Sequence, residues 1–261
     1  MFSTYGSILH LFTKQKHSSP MREVQTLNLK LVHGIKGDIN ANPISPRQVL
    51  VVRHEDIVEL AIQPGELREN VVITGIESKN FVPGALINFD SGAAIRLTFH
   101  CEPCKRIAHL VKSLKVIQGR RGILGVVIKS GAIQVGSNCQ IEPNRFPALS
   151  ENVYERFLSF IKKVPSGKVV TYKQIIQAIG VDNSYMRVIP IYIKKTSLIN
   201  YPIHRILDSK GNLITYIPNQ KDKLESEGIK FLCAVNSASK KNEYFGVFPE
   251  YLYEDETIYL N

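Results

Sequence analysis

The sequence lacks the features of a membrane protein and of a disulfide-bonded secreted protein. No apolar run approaches the roughly 18 residues that a membrane-spanning helix needs. Only four cysteines occur, at irregular spacing, and no secretory signal precedes them, so a disulfide framework is not indicated. We therefore expect a cytoplasmic protein with no membrane partner.

Acidic residues are absent before Glu23, a composition that raises the question of a transit peptide. We favour a folded start instead, because Gly6–Phe12 has the pattern of a first β-strand. The sequence also has no internal repeat and no low-complexity tract. With 44% hydrophobic and 21% charged residues, the composition is typical of a globular protein.

Negative charge is scarce in most of the chain, which has a net charge of +10. Residues 1–150 contain 18 basic and 11 acidic residues, and residues 151–230 contain 13 and 7. The remaining residues, 231–261, contain 2 and 5. The two basic parts suit an anionic partner such as nucleic acid or a phosphorylated cofactor. A basic surface that only maintains solubility would explain either part alone equally well.

Residues 1–145 have the pattern of a β-rich domain. Short apolar runs alternate with Gly, Pro, Asn and Asp, and they predict many short strands, which is typical of a barrel. The predicted strands are Ser7–Phe12, Val49–Val52, Val71–Ile73, Ala85–Ile87, Ala94–Phe99 and Gly125–Ile128. Gly131 and Gly136 are predicted to frame a hairpin pair.

The pattern changes after Pro143 and Pro147, where a helical period begins. The segment Glu151–Lys163 places four apolar side chains on one helical face: Val153, Phe157, Phe160 and Ile161. We therefore expect an α+β protein with a boundary near residues 147–150. The expected parts are residues 1–147, residues 150–231 and an acidic, aromatic tail at 232–261.

Cys101 and Cys104 form a C-x-x-C pair just past a predicted strand. A redox pair would normally lie at a helix start in a βαβ setting, which is absent here. A structural zinc site would need a second ligand pair, whereas Cys139 and Cys233 are single and far apart. The residues alone leave open a third reading, two partly buried thiols at a strand end.

Further motifs surround this pair, in a fixed order from about Gly6 to Ile141. They are GIKGD at 34–38, PRQVLVV at 46–52, GELRENVVITGI at 65–76, CEPC, RRG and G-x-I-x-V-G. Together they resemble the MOSC domain, the C-terminal module of molybdenum cofactor sulfurases. The resemblance implies a β-barrel-like fold, a molybdenum cofactor and sulfur carriage on a cysteine, with a persulfide sulfur donor as partner.

The resemblance also implies roles for individual residues. Cys104 falls at the family's P-C-x-[KR] position, which makes it the catalytic thiol and the molybdenum ligand, with Cys101 as its more variable partner. A thiolate is a soft metal ligand and a persulfide carrier. Nearby cations would lower the thiol pKa and hold a phosphate or pterin. These cations are Lys105, Arg106, Arg120 and Arg121.

Four further residues complete the implied cofactor pocket. Gly37 and Asp38 would supply a tight turn and a hydrogen-bonding carboxylate, and Arg68 and Asn70 would line the same pocket. Asn40 stands where many members of the family have histidine. If that histidine takes part in the chemistry, this substitution puts activity in doubt.

The segment at 164–180, VPSGKVVTYKQIIQAIG, predicts a turn, a short strand and a helix over Tyr172–Ala178 capped by Thr171. Asn183 or Ser184 would cap a second helix that carries Arg187. A helix-turn-helix of this kind places its second helix in a DNA groove. Most such helix pairs, however, belong only to a protein core.

The motifs that follow decide between these readings. GK-V-V-T-Y, P-x-H-R, S-x-G and L-x-x-E-G lie between Tyr154 and about Phe231. They resemble the winged-helix DNA-binding domain of alkylguanine-DNA alkyltransferases, whose active motif is P-C-H-R. In that family, a histidine and a glutamate activate the nucleophilic cysteine. His204 and Glu227 occupy these activating positions, but Ile203 occupies the nucleophile's position, so we expect no alkyltransferase activity.

The same resemblance implies DNA-binding residues. Arg187 lies where the family inserts an arginine into the base stack, Tyr172 where a tyrosine rotates the nucleotide outward, and Lys194 in an apolar–basic pair. His204 and Arg205 belong to the P-x-H-R motif. Alkyltransferase-like proteins that lack the cysteine bind damaged bases without repairing them.

Two departures affect this assignment: Pro190 stands in the predicted second helix, and the loop from Lys195 to Tyr201 is one residue short. They leave open a domain that is kept for packing or protein contacts.

The sequence therefore supports two hypotheses. In the first, the chain is a molybdenum-cofactor or sulfur-carrier protein that acts through Cys104, with a second domain that directs it to duplex DNA. In the second, it is a non-enzymatic protein that recognises alkylated guanine in DNA and flags it for repair. Whether the first domain is an enzyme stays open.

Overall fold

The computed structural model describes residues 4–16, 18–234 and 244–253. The chain divides between Glu151 and Asn152 into two compact units, called unit 1 and unit 2. Within the described ranges, no helix combines the length and the apolar character needed to cross a membrane.

Unit 1 contains eleven described strands and one short α-helix. The strands are β1 (Thr4–Thr13), β2 (Arg22–Val24), β3 (Thr26–Lys30), β4 (Gly34–Ile35), β5 (Val49–Arg53), β6 (Val71–Thr74), β7 (Leu86–Phe89), β8 (Ala94–His100), β9 (Ile123–Lys129), β10 (Gly131–Gln134) and β11 (Asn138–Glu142). Helix α1 is His54–Glu59, and 3-10 turns cover Lys105–Leu110 and Leu114–Ile117.

Seven of these strands close into a barrel, as the sequence predicts. Their order is β11-β7-β8-β9-β5-β6-β1, and β1 pairs back with β11 to complete the ring. All these pairings are antiparallel except that between β5 and β6. Side chains that alternate along the strands fill the interior, among them Ile8, Val51, Ile73, Ile95 and Val127.

The hairpin predicted between Gly131 and Gly136 is wrong. Strand β10 pairs with β3, and β11 pairs with β1 and β7. Gly136 has a φ of +85°, a backbone conformation that glycine adopts without strain. We infer that the chain turns there to leave one sheet and join the barrel, because β10 and β11 lie in different sheets.

Unit 2 is mainly helical, with short pieces of sheet. Its helices are α2 (Val153–Lys163), α3 (Tyr172–Ala178), α4 (Ile189–Lys195) and α5 (Gln220–Ser226). Its strands are β12 (Val170–Thr171), β13 (Ile206–Leu207), β14 (Phe231–Ala234) and β15 (Tyr244–Val247). Strands β12 and β13 pair in parallel, and β14 and β15 pair antiparallel. Further 3-10 turns cover Asn183–Arg187, Ile203–Arg205 and Pro249–Tyr251.

Local sequence signals explain where α2 and α3 begin. The side chain of Asn152 accepts hydrogen bonds from the backbone N–H groups of Tyr154 and Glu155, which caps α2. Thr171 and Gln174 form a reciprocal capping box at the start of α3, as the predicted Thr171 cap requires.

The second helix of the predicted pair is not continuous. A 3-10 turn over Asn183–Arg187, capped by Asp182 rather than by Asn183 or Ser184, precedes helix α4. Pro190 lies in the first turn of α4, where a missing backbone N–H leaves no hydrogen bond unmade. Arg187 therefore lies in the 3-10 turn and outside the α-helix that follows.

Part of the predicted tail is integrated into unit 2. Val169 forms backbone hydrogen bonds with Tyr251 and Tyr253, and a bridge with Leu252. Val247, Tyr251 and Leu252 also pack against a small apolar core, whose buried members are Val169, Leu207, Leu224 and Ile229. The described residues 244–253 thus extend this unit beyond residue 231.

Candidate functional sites

The C-x-x-C segment of unit 1 lies around a buried arginine. Arg121 donates a hydrogen bond through Nη1 to the carbonyl of Glu102 and another to Cys104 Sγ at 3.4 Å. Cys104 is half-buried, whereas Cys101 is only 2% exposed, with Arg47 Nη2 at 3.8 Å from its Sγ. Cys104 is therefore the more accessible thiol of the pair.

Cys101 differs from Cys104 because it is almost fully buried. Burial raises its pKa, and the positive charges of Arg121 and Arg47 only oppose that effect. Cys101 therefore stays a protonated thiol at neutral pH, while Cys104 remains the candidate for reaction or ligation.

Three further cations share the environment of Cys104 and Arg121. Burial lowers the pKa of Arg68, and the positive charges of Arg106 and Arg121 lower it further, whereas Cys104 opposes them. Lys14 responds in the same way, because burial and the charges of Arg68 and Arg106 lower its pKa. We call Lys14, Arg68, Arg106 and Arg121 the cationic cluster. Cations whose charges act on one another in this way favour an anionic ligand.

Asp38 and Asn70, both predicted at the cofactor pocket, meet in a buried hydrogen-bond network. Asp38 Oδ2 accepts hydrogen bonds from the backbone N–H of Lys14 at 2.8 Å and from Asn70 Nδ2 at 3.2 Å. Asp38 Oδ1 accepts from the backbone N–H of Asn40 at 2.9 Å and from Asn40 Nδ2 at 3.0 Å. Asn70 also bonds to the backbones of Leu50 and Phe12. The network therefore fixes the backbone that carries Lys14.

Two features of the cationic cluster differ from the prediction. Arg120 is exposed and pairs with Glu59 at 3.3 Å, so its charge is directed to that carboxylate. Lys14 was missed, because it lies outside the sequence motifs that carry the resemblance. Arg68 has a φ of +66°, a left-handed backbone conformation that strains a residue with a side chain. Within the described ranges, no three His, Cys, Asp or Glu side chains are grouped to hold a metal ion.

In unit 2, Ile203 is buried at the start of a 3-10 turn, directly before His204. His204 Nε2 lies 2.8 Å from Glu227 Oε1. Arg205 donates to the same carboxylate through Nη2 at 2.7 Å and through Nε at 2.9 Å, and Gly167 N–H donates at 3.2 Å. Burial alone would raise the pKa of Glu227, but hydrogen bonds from Arg205 and His204 lower it to about 2.

The predicted base-rotating residue Tyr172 is mostly buried beside a second tyrosine. Its hydroxyl lies 3.2 Å from that of Tyr216, and burial raises the pKa of Tyr172. Lys194 Nζ lies 4.9 Å from the centroid of the Tyr216 ring, a cation–π distance. Tyr216 thus brings Tyr172 and Lys194 together, and no motif in the sequence identified it.

The other predicted DNA-binding cations differ in their exposure and in their hydrogen bonds within the protein. Arg187 is exposed on its 3-10 turn. Arg205, in contrast, has internal partners, because its Nη1 also donates to the carbonyl of Val164 at 2.7 Å. His204 likewise faces Glu227. Arg187 is therefore a surface cation, whereas Arg205 and His204 belong to the partly buried network around Glu227.

Two family models match the chain in the regions just described. The MOSC domain matches residues 38–140, and the DNA-binding domain of 6-O-methylguanine DNA methyltransferase matches residues 152–229. The chain thus joins a region that matches the MOSC domain to a region that matches the DNA-binding domain of an alkyltransferase, and the two matches do not overlap.

Solved structures similar to the fusion fall into two groups. The YUAD protein of Bacillus subtilis is 19% identical, with a TM-score of 0.49, and the match covers 54% of this chain and 97% of that chain. YiiM from Escherichia coli is 17% identical, with a TM-score of 0.41, and the match covers 71% and 91%. Atl1 of S. pombe, solved with damaged DNA containing O6-carboxymethylguanine, is 27% identical, with a TM-score of 0.35, and the match covers 41% and 98%. A search of curated proteins found no significant match.

Proposed function

We propose that the MOSC domain carries a molybdenum cofactor or a persulfide sulfur on Cys104, and that the alkyltransferase-type domain directs it to duplex DNA. One observation carries the first half: Cys104 Sγ accepts a hydrogen bond from Arg121 at 3.4 Å within the cationic cluster. Such a donor stabilises a thiolate or a persulfide anion relative to its protonated form.

The side chains around Cys104 fit the chemistry of that cofactor. A thiolate is a ligand that soft metals accept, and the cationic cluster offers several donors to phosphate or pterin oxygens. Arg121 Nε is buried and has no hydrogen-bond partner among the described residues, so an anionic oxygen would satisfy it. When bound, the cofactor would supply a redox-active metal. The protein's part is to hold the anion and to keep Cys104 accessible.

Metal analysis and sulfane-sulfur assay on freshly purified protein test this half of the proposal. We expect the wild type to retain molybdenum or cyanide-labile sulfur, and Cys104→Ser to lose it. Arg120→Gln is the matched control, because Arg120 pairs with Glu59 and should leave retention unchanged. A wild type with neither molybdenum nor labile sulfur would contradict the proposal.

The second half rests on the alkyltransferase-type domain. Residues 151–230 carry 13 basic against 7 acidic residues, Arg187 is exposed, and Tyr172 lies with Tyr216 beside Lys194. These features suit a polyanion with a base to be turned outward. The Ile203 side chain has no lone pair, so an alkyl group on the bound DNA would not be transferred to the protein at this position.

A second candidate function is recognition of alkylated guanine without chemistry, with the MOSC domain auxiliary. It is favoured by the intact His204–Glu227 contact next to the absent nucleophile. Fluorescence anisotropy on duplexes with and without O6-methylguanine separates the candidates. Tight, lesion-selective binding by a protein free of molybdenum and labile sulfur would support this second function and exclude the first.

A further inference from the structure

The loop between α4 and Pro202 exposes apolar side chains in a basic part of unit 2. Ile199 is 95% exposed and Leu198 is 38% exposed. Lys194 and Lys195 directly precede this loop at the end of α4, and both are exposed. An isoleucine with almost no protein contact gains nothing from folding, so its exposure suits a partner that buries it.

Contacts with the rings of α2 and α4 hold the start of the loop. Lys195 Nζ lies 3.5 Å from the ring centroid of Tyr154 and 4.9 Å from that of Tyr192. The next residue, Thr196, is buried, and its hydroxyl lies 2.9 Å from that of Tyr154. The chain therefore leaves α4 in a fixed direction.

The end of the loop is held in the same manner. Lys162 Nζ, on α2, lies 5.0 Å from the ring centroid of Tyr201. The backbone N–H of Tyr201 donates to the carbonyl of Ser197 at 3.2 Å, which closes residues 197–201 into a turn. Leu198 and Ile199 thus lie at the tip of a short turn that is fastened to α2 at both ends.

We infer that Ile199, with Leu198 beside it, is a wedge that inserts between base pairs of duplex DNA. The inference rests on the proposed DNA binding of unit 2, and it names the side chain that would separate two stacked base pairs. Apolar side chains inserted at base steps unstack and kink a duplex, and a rigid support is needed to bear that cost. Lys162, Lys194 and Lys195 are all exposed and make the surroundings of the loop basic, which favours a polyanion over an apolar protein surface.

The test uses the full-length protein and duplexes with 2-aminopurine at one step, with or without an adjacent O6-methylguanine. Wild type should raise the 2-aminopurine fluorescence on binding. Ile199→Ser should lose that rise and bind about tenfold more weakly, since the apolar side chain would no longer be buried between base pairs. The salt dependence of binding should not change, because no phosphate contact is removed.

Two variants control for composition and folding. Ile199→Leu keeps an apolar tip and should retain the fluorescence rise. Val58→Ser removes a similarly exposed side chain, 61% exposed on α1, and should behave as wild type.

A wild type that binds no duplex would overturn the DNA proposal itself. A wild type that binds while Ile199→Ser binds equally well, with equal fluorescence, would overturn only the wedge. That second result would assign the apolar tip to another partner, such as a protein.

Discussion

His204 Nε2 lies 2.8 Å from Glu227 Oε1, although the residue before His204 is Ile203 and offers nothing to activate. Glu227 also accepts hydrogen bonds from Arg205 and from the backbone N–H of Gly167. Arg205 in turn donates to the carbonyl of Val164. One carboxylate therefore ties together the turn after α2, the Ile203–Arg205 turn and the end of α5. The network therefore also has a structural role, which does not depend on a nucleophile.

The first prediction is that the protein takes up no alkyl group. After incubation with duplex DNA containing O6-methylguanine, intact-mass spectrometry should show the unmodified mass, because an isoleucine side chain cannot act as a nucleophile. An alkyltransferase with its cysteine serves as the positive control. A methyl adduct on any residue of unit 2 would disprove the argument from Ile203.

The second prediction concerns the stability of unit 2. Glu227→Gln should lower the free energy of unfolding by about 2 kcal/mol, because it removes charge-assisted hydrogen bonds from Arg205 and His204. Glu225→Gln is the matched control, since its exposed pairing with Lys221 at 3.9 Å contributes little. Denaturant unfolding of the whole protein, followed by helical circular dichroism, measures both. Equal midpoints for the two variants would contradict the role assigned to Glu227.

The same carboxylate sets a pH dependence. The pKa of Glu227 is lowered from 4.5 to about 2 in the folded protein. A lowered pKa means that the unfolded chain binds the proton more readily, so Glu227 stabilises the fold fully above pH 4.5. That contribution is lost as the pH falls from 4.5 towards 2. Glu227→Gln should therefore flatten the stability profile of unit 2 in this window, and an unchanged profile would argue against the ion pair.

The features that were predicted correctly from the sequence depend on residues that lie close together in the sequence. Helix α3 begins after Thr171 because Thr171 and Gln174 are three residues apart, and the apolar runs of the barrel alternate within single strands. The pairing of β10 with β3 involves residues about a hundred positions apart, and no local pattern encodes it. For the same reason Lys14 and Tyr216 were missed, since their partners, such as Asp38 and Tyr172, come together only in the fold.

The third prediction separates the two cysteines of the C-x-x-C pair. In the native protein at neutral pH, a thiol reagent should label Cys104 well before Cys101, because Cys101 is buried and burial raises its pKa. Peptide mass spectrometry after timed labelling measures the order. Labelling in denaturant is the control, where both should react alike. Equal labelling of the two cysteines in the native state would contradict the assignment of Cys104 as the reactive thiol.

The same assignment predicts different effects of two substitutions. Cys104→Ser should abolish cofactor-linked or persulfide activity, whereas Cys101→Ser should only weaken it.

The lysines near the proposed DNA-binding residues differ in their internal contacts, and this difference allows a more specific test of DNA binding. Lys168 donates through Nζ to the carbonyl of Glu250 at 2.6 Å, and Lys195 lies over Tyr154. Lys173 and Lys194 are exposed, although Lys194 also faces the ring of Tyr216. We therefore expect phosphate contacts mainly from Lys173 and Lys194, and a structural role for Lys168.

The fourth prediction follows from this difference. Affinity for duplex DNA should fall with salt, and Lys194→Gln should reduce the slope of log affinity against log salt by about 0.9, equally for damaged and plain duplexes. Lys168→Gln is the control and should leave the slope unchanged, because the Lys168 ammonium already has a carbonyl partner.

Arg187→Ala should act differently. An inserted arginine offsets the cost of turning a base outward, so its loss should reduce the preference for O6-methylguanine and spare plain-duplex binding. Fluorescence anisotropy across a salt series measures all three variants. Equal wild-type affinity for both duplexes, or no dependence on salt, would mean that unit 2 retains the fold of a DNA-binding domain without its function.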